Sequence, residues 1–328
     1  MKEIKVILVP KYLTKEELAE KGINPTATVE AEYGENVIKG EQVTLAHHTK
    51  EYANNPAPCN TPDVPELEDG STIVISHIDL DTIGGVAALL GMKKEDPEFW
   101  KAAEFLDLNG VHHLHEVPER VQEQYLAYSA WGEQHRGERI TELTDVTDAV
   151  MERVELTGKV IDRDPELIAN GKRWNEEIEQ AIEASLVYED ENVRVFNSES
   201  GVFCNAAYYS PNLKKVIPAT VSRNGKFKSV TMALADGGKK FQNLGLKTSR
   251  ELVQELWGME AGGHPGIAGS PRGKEMTEED LKDLAILVEK QVKLANEIEE
   301  GQKKKDGFSL REIVDASEAD KEKQVKRD

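Results

Sequence analysis

The pattern of apolar and polar positions divides the chain into halves of different character. The sharpest signal in the first half is Ile73-Val74-Ile75, a short β-branched run preceded by the turn residues Asp69-Gly70. Such a run predicts a strand buried on both faces. It gives way to His77, Asp79 and Asp81, and Gly84-Gly85 then opens a small-residue helix over 86–90. Around this core, 5–9 reads as a first strand, and Thr14 with Glu17 as a capping box before a helix. Residues 27–32 and 41–46 read as paired strands around Gly34 and Gly40, the second ending in His47-His48. An extended Pro/Asn-rich loop covers 54–65. Asp96-Pro97 starts a helix with Phe99, Ala102, Ala103 and Leu106 at helical spacing, and further helices are expected over 118–135, 140–154 and 165–186.

In the second half, 192–196, 215–221 and 226–235 alternate like antiparallel strands, with Asn224-Gly225 as a hairpin turn. Residues 248–257 form a helix stopped by Gly258. Thr277 and Asp280 resemble a second capping box, opening a helix to about residue 300. The reading is an α/β chain: a parallel-sheet N-terminal domain with flanking helices over 1–190, its first 70 residues atypical, then a smaller mixed α/β domain over 191–300. Residues 301–328 form a charged tail, either a solvated helix or disordered.

Charge narrows the function classes. A formal net charge of −20 over 328 residues disfavours a general grip on long nucleic acid, which needs basic surface; a single or short nucleotide needs only a few local positive groups. Two cysteines, Cys59 and Cys204, are too few for a disulfide framework and favour a reducing, cytoplasmic setting. No apolar stretch approaches the length of a membrane span, and the N-terminal run is too short for a signal peptide's apolar core.

The candidate chemistry is divalent metal binding. His77, Asp79 and Asp81 fall where a strand hands over to a helix, at the carboxyl edge of a sheet, where open α/β sheets keep their ligands. Imidazole with carboxylates suits Mn²⁺, Fe²⁺ or Zn²⁺ more than Ca²⁺. Helix capping explains one aspartate but not the second aspartate and the histidine. A second concentration lies at Asp107-Leu-Asn-Gly-Val-His-His-Leu-His-Glu116, where His112, His113 and His115 are hard to explain as packing. Asp145 or Asp148 offers a further carboxylate, or is merely solvated. His47 and His48 are ligands or exposed loop histidines. Finally, Glu260-Ala-Gly-Gly-His-Pro-Gly-Ile-Ala-Gly-Ser-Pro-Arg-Gly273 reads as a loop whose backbone approaches an anion, with His264 and Arg272 as side-chain donors.

Two of these stretches together resemble the DHH phosphoesterase family with its DHH-associated C-terminal domain. Ser76-His-Ile-Asp-Leu-Asp-Thr-Ile-Gly-Gly85 is similar to the family's first motif, and Gly262-Gly-His-Pro-Gly-Ile-Ala-Gly269 to the GGH signature. The resemblance covers most of 71–297. It implies an α/β domain joined to a mixed domain with the active site in the cleft between. It further implies a manganese-dependent hydrolase, with two Mn²⁺ ions (Mg²⁺, Fe²⁺ or Zn²⁺ in their place) on His77, Asp79 and Asp81 with Asp107, His112 and Asp145. On the same basis His112 and His113 are catalytic, and Gly262, Gly263, His264 and Arg272 bind a small nucleotide or short oligonucleotide; a homodimer is one arrangement open to the chain. The name-giving Asp-His-His departs from the pattern: the His-His pairs are Ala46-His47-His48 and Val111-His112-His113. Either Asp107 takes the part of the missing Asp, or His47 and His48 join the site.

Overall fold

The computed structural model describes residues 3–10, 13–31, 38–47, 52, 54–137, 140–198, 205–271 and 273–325. The chain divides into two compact units, Met1–Glu179 and Gln180–Asp328. The first contains β1 (Lys5–Leu8), α1 (Lys15–Glu20), β2 (Ala27–Val29), β3 (Val43–Leu45), β4 (Thr72–Ile75), α2 (Leu80–Leu89), α3 (Pro97–Asn109), α4 (Glu119–Gln134), β5 (Thr144–Asp145), α5 (Thr147–Ile161) and most of α6 (Pro165–Ser185).

Its sheet has the order β3-β2-β4-β1-β5. The first four strands run parallel, and β5 pairs antiparallel beside β1. β4 is central, and Ile73, Val74 and Ile75 are each fully buried. Burial contributes about 1.5–3 kcal/mol for each such side chain, which makes this strand the anchor of the unit. One face packs on Ile83, Val86 and Leu89 of α2 and Val150 and Val154 of α5. The other carries Ile7 and Val74 against Leu18 of α1, whose Thr14–Glu17 capping box is formed. Phe99, Trp100, Leu106, Val121 and Val160 build a further helical layer.

Gly84 and Gly85 owe their place to packing. A Cβ on Gly84 would lie 2.4 Å from Cβ of Cys59, and one on Gly85 2.7 Å from Cβ of Pro58. Only glycine lets α2 seat this closely on the 3₁₀ turn Pro58–Asn60. The helix expected over 140–154 begins at Thr147, because Thr144 and Asp145 are drawn into the sheet by β1.

The second unit contains β6 (Leu186–Glu189), β7 (Val193–Ser198), β8 (Tyr209–Ser210), β9 (Lys215–Val216), β10 (Ala219–Asn224), β11 (Ser229–Leu234), α7 (Lys239–Asn243), α8 (Ser249–Trp257), β12 (Gly262–His264), β13 (Ile267–Gly269) and α9 (Glu278–Val325). Six strands form a sheet ordered β12-β13-β11-β10-β7-β6, and β8 and β9 form a separate ribbon. Val221 and Met232 pack on Leu252 of α8 and Leu284 and Val288 of α9.

Two strand expectations change. β7 lies parallel to β10, because the long connection carrying β8 and β9 returns the chain to the same end of the sheet, as parallel neighbours require. Asn224 pairs with Ser229, so the hairpin turn spans the residues between them, and Asn224 Oδ1 accepts from the Phe227 amide at 3.0 Å. α9 continues past residue 300, where the sequence pattern ended it. No described helix is long and apolar enough to cross a membrane.

Candidate metal centre

The first unit concentrates its chemistry at the carboxyl ends of three adjacent parallel strands. After β4 the backbone turns at Asp79, which is extended and caps α2, its Oδ1 accepting from the Thr82 amide at 3.0 Å. Its other oxygen lies 2.7 Å from His77 Nε2, while His77 Nδ1 lies 2.7 Å from the Ser76 hydroxyl. Capping therefore accounts for one oxygen of Asp79 and for none of Asp81. Asp81 sits in the first turn of α2, where the helix dipole favours a carboxylate, and is only 2% exposed.

Glu30 follows β2 and His47 follows β3 by two residues; they are 1% and 4% exposed. Glu30 has φ 53°, a left-handed conformation that costs a side-chain-bearing residue about 1–2 kcal/mol. It is pinned there from both sides. Its amide donates to the Leu45 carbonyl at 2.9 Å, and its carbonyl accepts from the Ser76 hydroxyl. Residues held in this way cluster at functional sites. His47 Nε2 then stands 3.5 Å from Glu30 Oε1, 3.4 Å from Asp81 Oδ2 and 3.3 Å from Oδ2 of Asp107, which arrives on the last turns of α3.

Four carboxylates, Glu30, Asp79, Asp81 and Asp107, thus face two imidazoles. Burial raises Asp81 to about 7, reinforced by Asp79 and Asp107 and opposed by His47. Burial works against a charge on His47, yet Asp107, Asp81 and Glu30 outweigh it and lift the imidazole to about 10. Asp79 pays the same desolvation penalty but is held well below the ordinary carboxylate range by His77 and the Thr82 amide. His77 is raised, Asp79 outweighing its burial. Among the described residues, two groups offer ligand atoms lying within 4.8 Å of one another: His77, Asp79 and Asp81, and Glu30, His47 and Asp81. Asp81 belongs to both, and both its oxygens are buried without a hydrogen-bond partner. This donor set fits a divalent cation.

The other expected site residues distribute as follows. Asp107 meets His47. His112 and His113 lie on a 3₁₀ turn, Val111–Glu116, and neither belongs to a ligand-spaced group. His113 Nδ1 is 2.7 Å from Glu116 Oε1, and the two rings tilt against each other at 4.5 Å. Burial, with His113 and His115 beside it, lowers His112 to about 4. Asp145 is taken up by the join of β5 to α5: its Oδ1 accepts from the Thr147 amide and hydroxyl, and its Oδ2 lies 3.5 Å from Lys5 Nζ.

In the second unit the glycine-rich stretch is an edge hairpin rather than a loop, with Gly262, Gly263 and His264 on exposed β12 paired to β13. Gly263 has φ 153°, and a Cβ there would lie 2.4 Å from the Ile267 carbonyl oxygen. Arg272, His48 and Cys204 lie outside the described residues. Glu30 carried no sequence signal: it follows a three-residue strand and meets the others only through the sheet order.

Fold and site together define an α/β protein with a buried histidine–carboxylate cluster on the carboxyl edge of its parallel sheet, followed by a mixed unit ending its sheet in the Gly-Gly-His hairpin. This is the organisation that the resemblance to the DHH phosphoesterases implies. No family model and no curated protein matches the chain. Among solved structures it is similar to PggH, a pGpG-specific phosphodiesterase from Vibrio cholerae, at 12% identity and TM-score 0.44, over 87% of this chain and 89% of that one. It is similar to an exopolyphosphatase-related protein from Bacteroides fragilis, at 14% identity and TM-score 0.32, over 78% and 66%. RecJ from Thermus thermophilus in complex with Mn²⁺ follows at 14% identity and TM-score 0.38, over 88% of this chain and 45% of RecJ. The functional reading rests on the chain's own residues.

Proposed function

We propose that this chain is a divalent-metal-dependent phosphodiesterase that hydrolyses a small nucleotide: a short oligonucleotide, a cyclic dinucleotide or a 3′-phosphorylated adenosine nucleotide. The observation that carries the reading is the buried excess of carboxylates over imidazoles at the sheet edge, Glu30 and Asp81 against His47, a negative charge that a cation balances. His77, Asp79 and Asp81 hold a metal there, with Mn²⁺ as the first choice and Mg²⁺, Fe²⁺ or Zn²⁺ as alternatives. A divalent cation supplies charge neutralisation at phosphoryl oxygens and activation of water. Asp79 keeps one oxygen on the α2 amide, which fixes the direction of the other. His47, lifted to about 10, holds a proton beside it.

Exposed Gly262, Gly263 and His264, with Arg272, are assigned to a substrate phosphate. The net charge of −20 supports small substrates over long polymers, and the low cysteine content a cytoplasmic setting. The test is incubation of the purified chain with a panel of such nucleotides, with and without Mn²⁺. Cleavage that needs the metal and falls at least a hundredfold in Asp79→Asn and Asp81→Asn is the expected result. Nucleotides bound but recovered intact would make the chain a sequestering protein. Equal turnover by the variants would overturn the assignment of the site.

A further inference from the structure

We infer that the flank of α9 beside β6 is an interface on which a second copy of this chain docks, the two α9 helices running antiparallel about a two-fold axis. The surface lies wholly within the second unit. α9 buries Leu281, Leu284, Val288, Val292 and Ala295 in the core of that unit. Next to that face, Glu278, Lys282, Ala285, Ile286, Glu289 and Lys293 follow one another at three- and four-residue spacing in two adjacent rows, which places them on one flank of the helix. The flank borders an open groove of about 440 Å³, lined also by Val187 and Tyr188 of β6 and by Val193 and Val195 of β7. Three large apolar side chains stay exposed there: Val187 at 59%, Tyr188 at 46% and Ile286 at 56%. Apolar side chains gathered at a groove with charges at its rim mark a protein-binding surface.

The charges choose the partner. An antiparallel helix pair with its two-fold axis between Ala285 and Ile286 sets each residue against the one equally far beyond the axis. Lys282 then faces the partner's Glu289, Glu278 faces the partner's Lys293, and Ile286 faces the partner's Ala285, where the small side chain leaves room for it. Each contact occurs twice, so every charge of the flank meets its opposite. A parallel pair would instead set Lys282 on Lys282 and Glu289 on Glu289, which repel. Within the chain Glu289 meets Lys293 and Glu278 accepts from Asn197 Nδ2 at 2.9 Å; such surface contacts are individually weak and compatible with a second partner. Because β6 ends its sheet, strand addition is the competing way for copies to join. The register of β6 shifts between Leu186 and Tyr188, and such an irregularity interrupts the ladder that an added strand needs. The side chains of β6 serve the interface, and its backbone edge does not.

This inference is independent of the metal centre and of catalysis, and its test reads association alone. The full chain is followed by sedimentation velocity from about 1 to about 100 μM. The wild type sediments as a dimer. Ile286→Glu, Lys282→Glu and Glu289→Lys each weaken association about tenfold or more, while circular dichroism shows all three folded. Phe227→Ser, which removes a side chain 71% exposed on the β10–β11 turn, leaves the dimer intact. Mixed in equal amounts, Lys282→Glu and Glu289→Lys dimerise again, because the reversed charge on each chain then faces an opposite charge on the other. A loss of fold or stability in either variant cannot produce that rescue. A wild type that stays monomeric over the whole range would leave the groove to a different partner and overturn the proposal. A dimer undisturbed by Ile286→Glu, or no dimer in the mixture, would overturn it equally.

Discussion

The two units each bury charge, and they do so in opposite ways. In the second unit Arg194 and Glu189, 3% and 10% exposed at their side chains, meet at 2.6 Å. The guanidinium also donates to the carbonyls of Ala207 and Tyr209 at 2.6 and 2.5 Å. One cation meets one anion, and Nη1 finds both carbonyls; burial pulls Arg194 below its ordinary range and Glu189 opposes it. In the first unit, four carboxylates crowd two imidazoles, with His47 Nε2 shared among three of them at 3.3–3.5 Å. A one-to-one pair is a structural device. A cluster in which carboxylates outnumber imidazoles is kept for something that binds there.

The largest effect that sharpens this contrast is expected in the second unit. Glu189→Ala strands a buried guanidinium and costs about 3–5 kcal/mol, read by urea denaturation, with Mn²⁺ affinity unchanged per folded molecule. In the first unit the sign reverses. Asp81→Asn removes a surplus buried charge, so the metal-free chain gains roughly 1–2 kcal/mol at pH 8 while metal binding is lost. A strong destabilisation by Asp81→Asn would make the cluster another structural knot.

Gly84→Ala places a methyl group against Cys59 and should cost about 1–3 kcal/mol by overpacking. Its Mn²⁺ affinity stays within about threefold of wild type, since the motif glycine serves helix seating. A loss of metal binding without loss of stability would show the opposite.

The smallest effect is one of pH. Asp81 is raised to about 7 and His47 to about 10, so both bind protons more tightly folded than unfolded. Their contribution to the metal-free chain is complete below the unfolded values. It is lost as pH rises, from about 4 to 7 for Asp81 and from about 6.5 to 10 for His47. A cation replaces those protons. The gain in Tm on adding Mn²⁺ is therefore larger at pH 8 than at pH 6, by a few degrees; an equal gain at both would separate the ion from these groups.

Legibility followed the range of the interactions. The β4–α2 junction was readable because a buried strand, a cap and the following helix are local signals, and the caps at Thr14, Asp96 and Thr277 formed where the spacing placed them. Asp107 was singled out from its surroundings and meets His47. Glu30 was invisible, because its role arises only when β2 lies between β3 and β4. His47 stood open between ligand and loop residue for the same reason. The parallel pairing of β7 with β10 is equally non-local. The glycine-rich stretch was seen as an anion loop, whereas Gly263 and Gly266 are demanded by backbone approaches to Ala268 and Gly237, which no composition reveals.

The most direct test of the central claim is a calorimetric titration of Mn²⁺ into the full chain at pH 8, in two buffers of different ionisation enthalpy, for wild type and Asp81→Asn. A cation site predicts binding with proton release in wild type and none in Asp81→Asn. No heat of binding at millimolar Mn²⁺, or the same binding in both proteins, would show that the cluster balances its charge with protons alone.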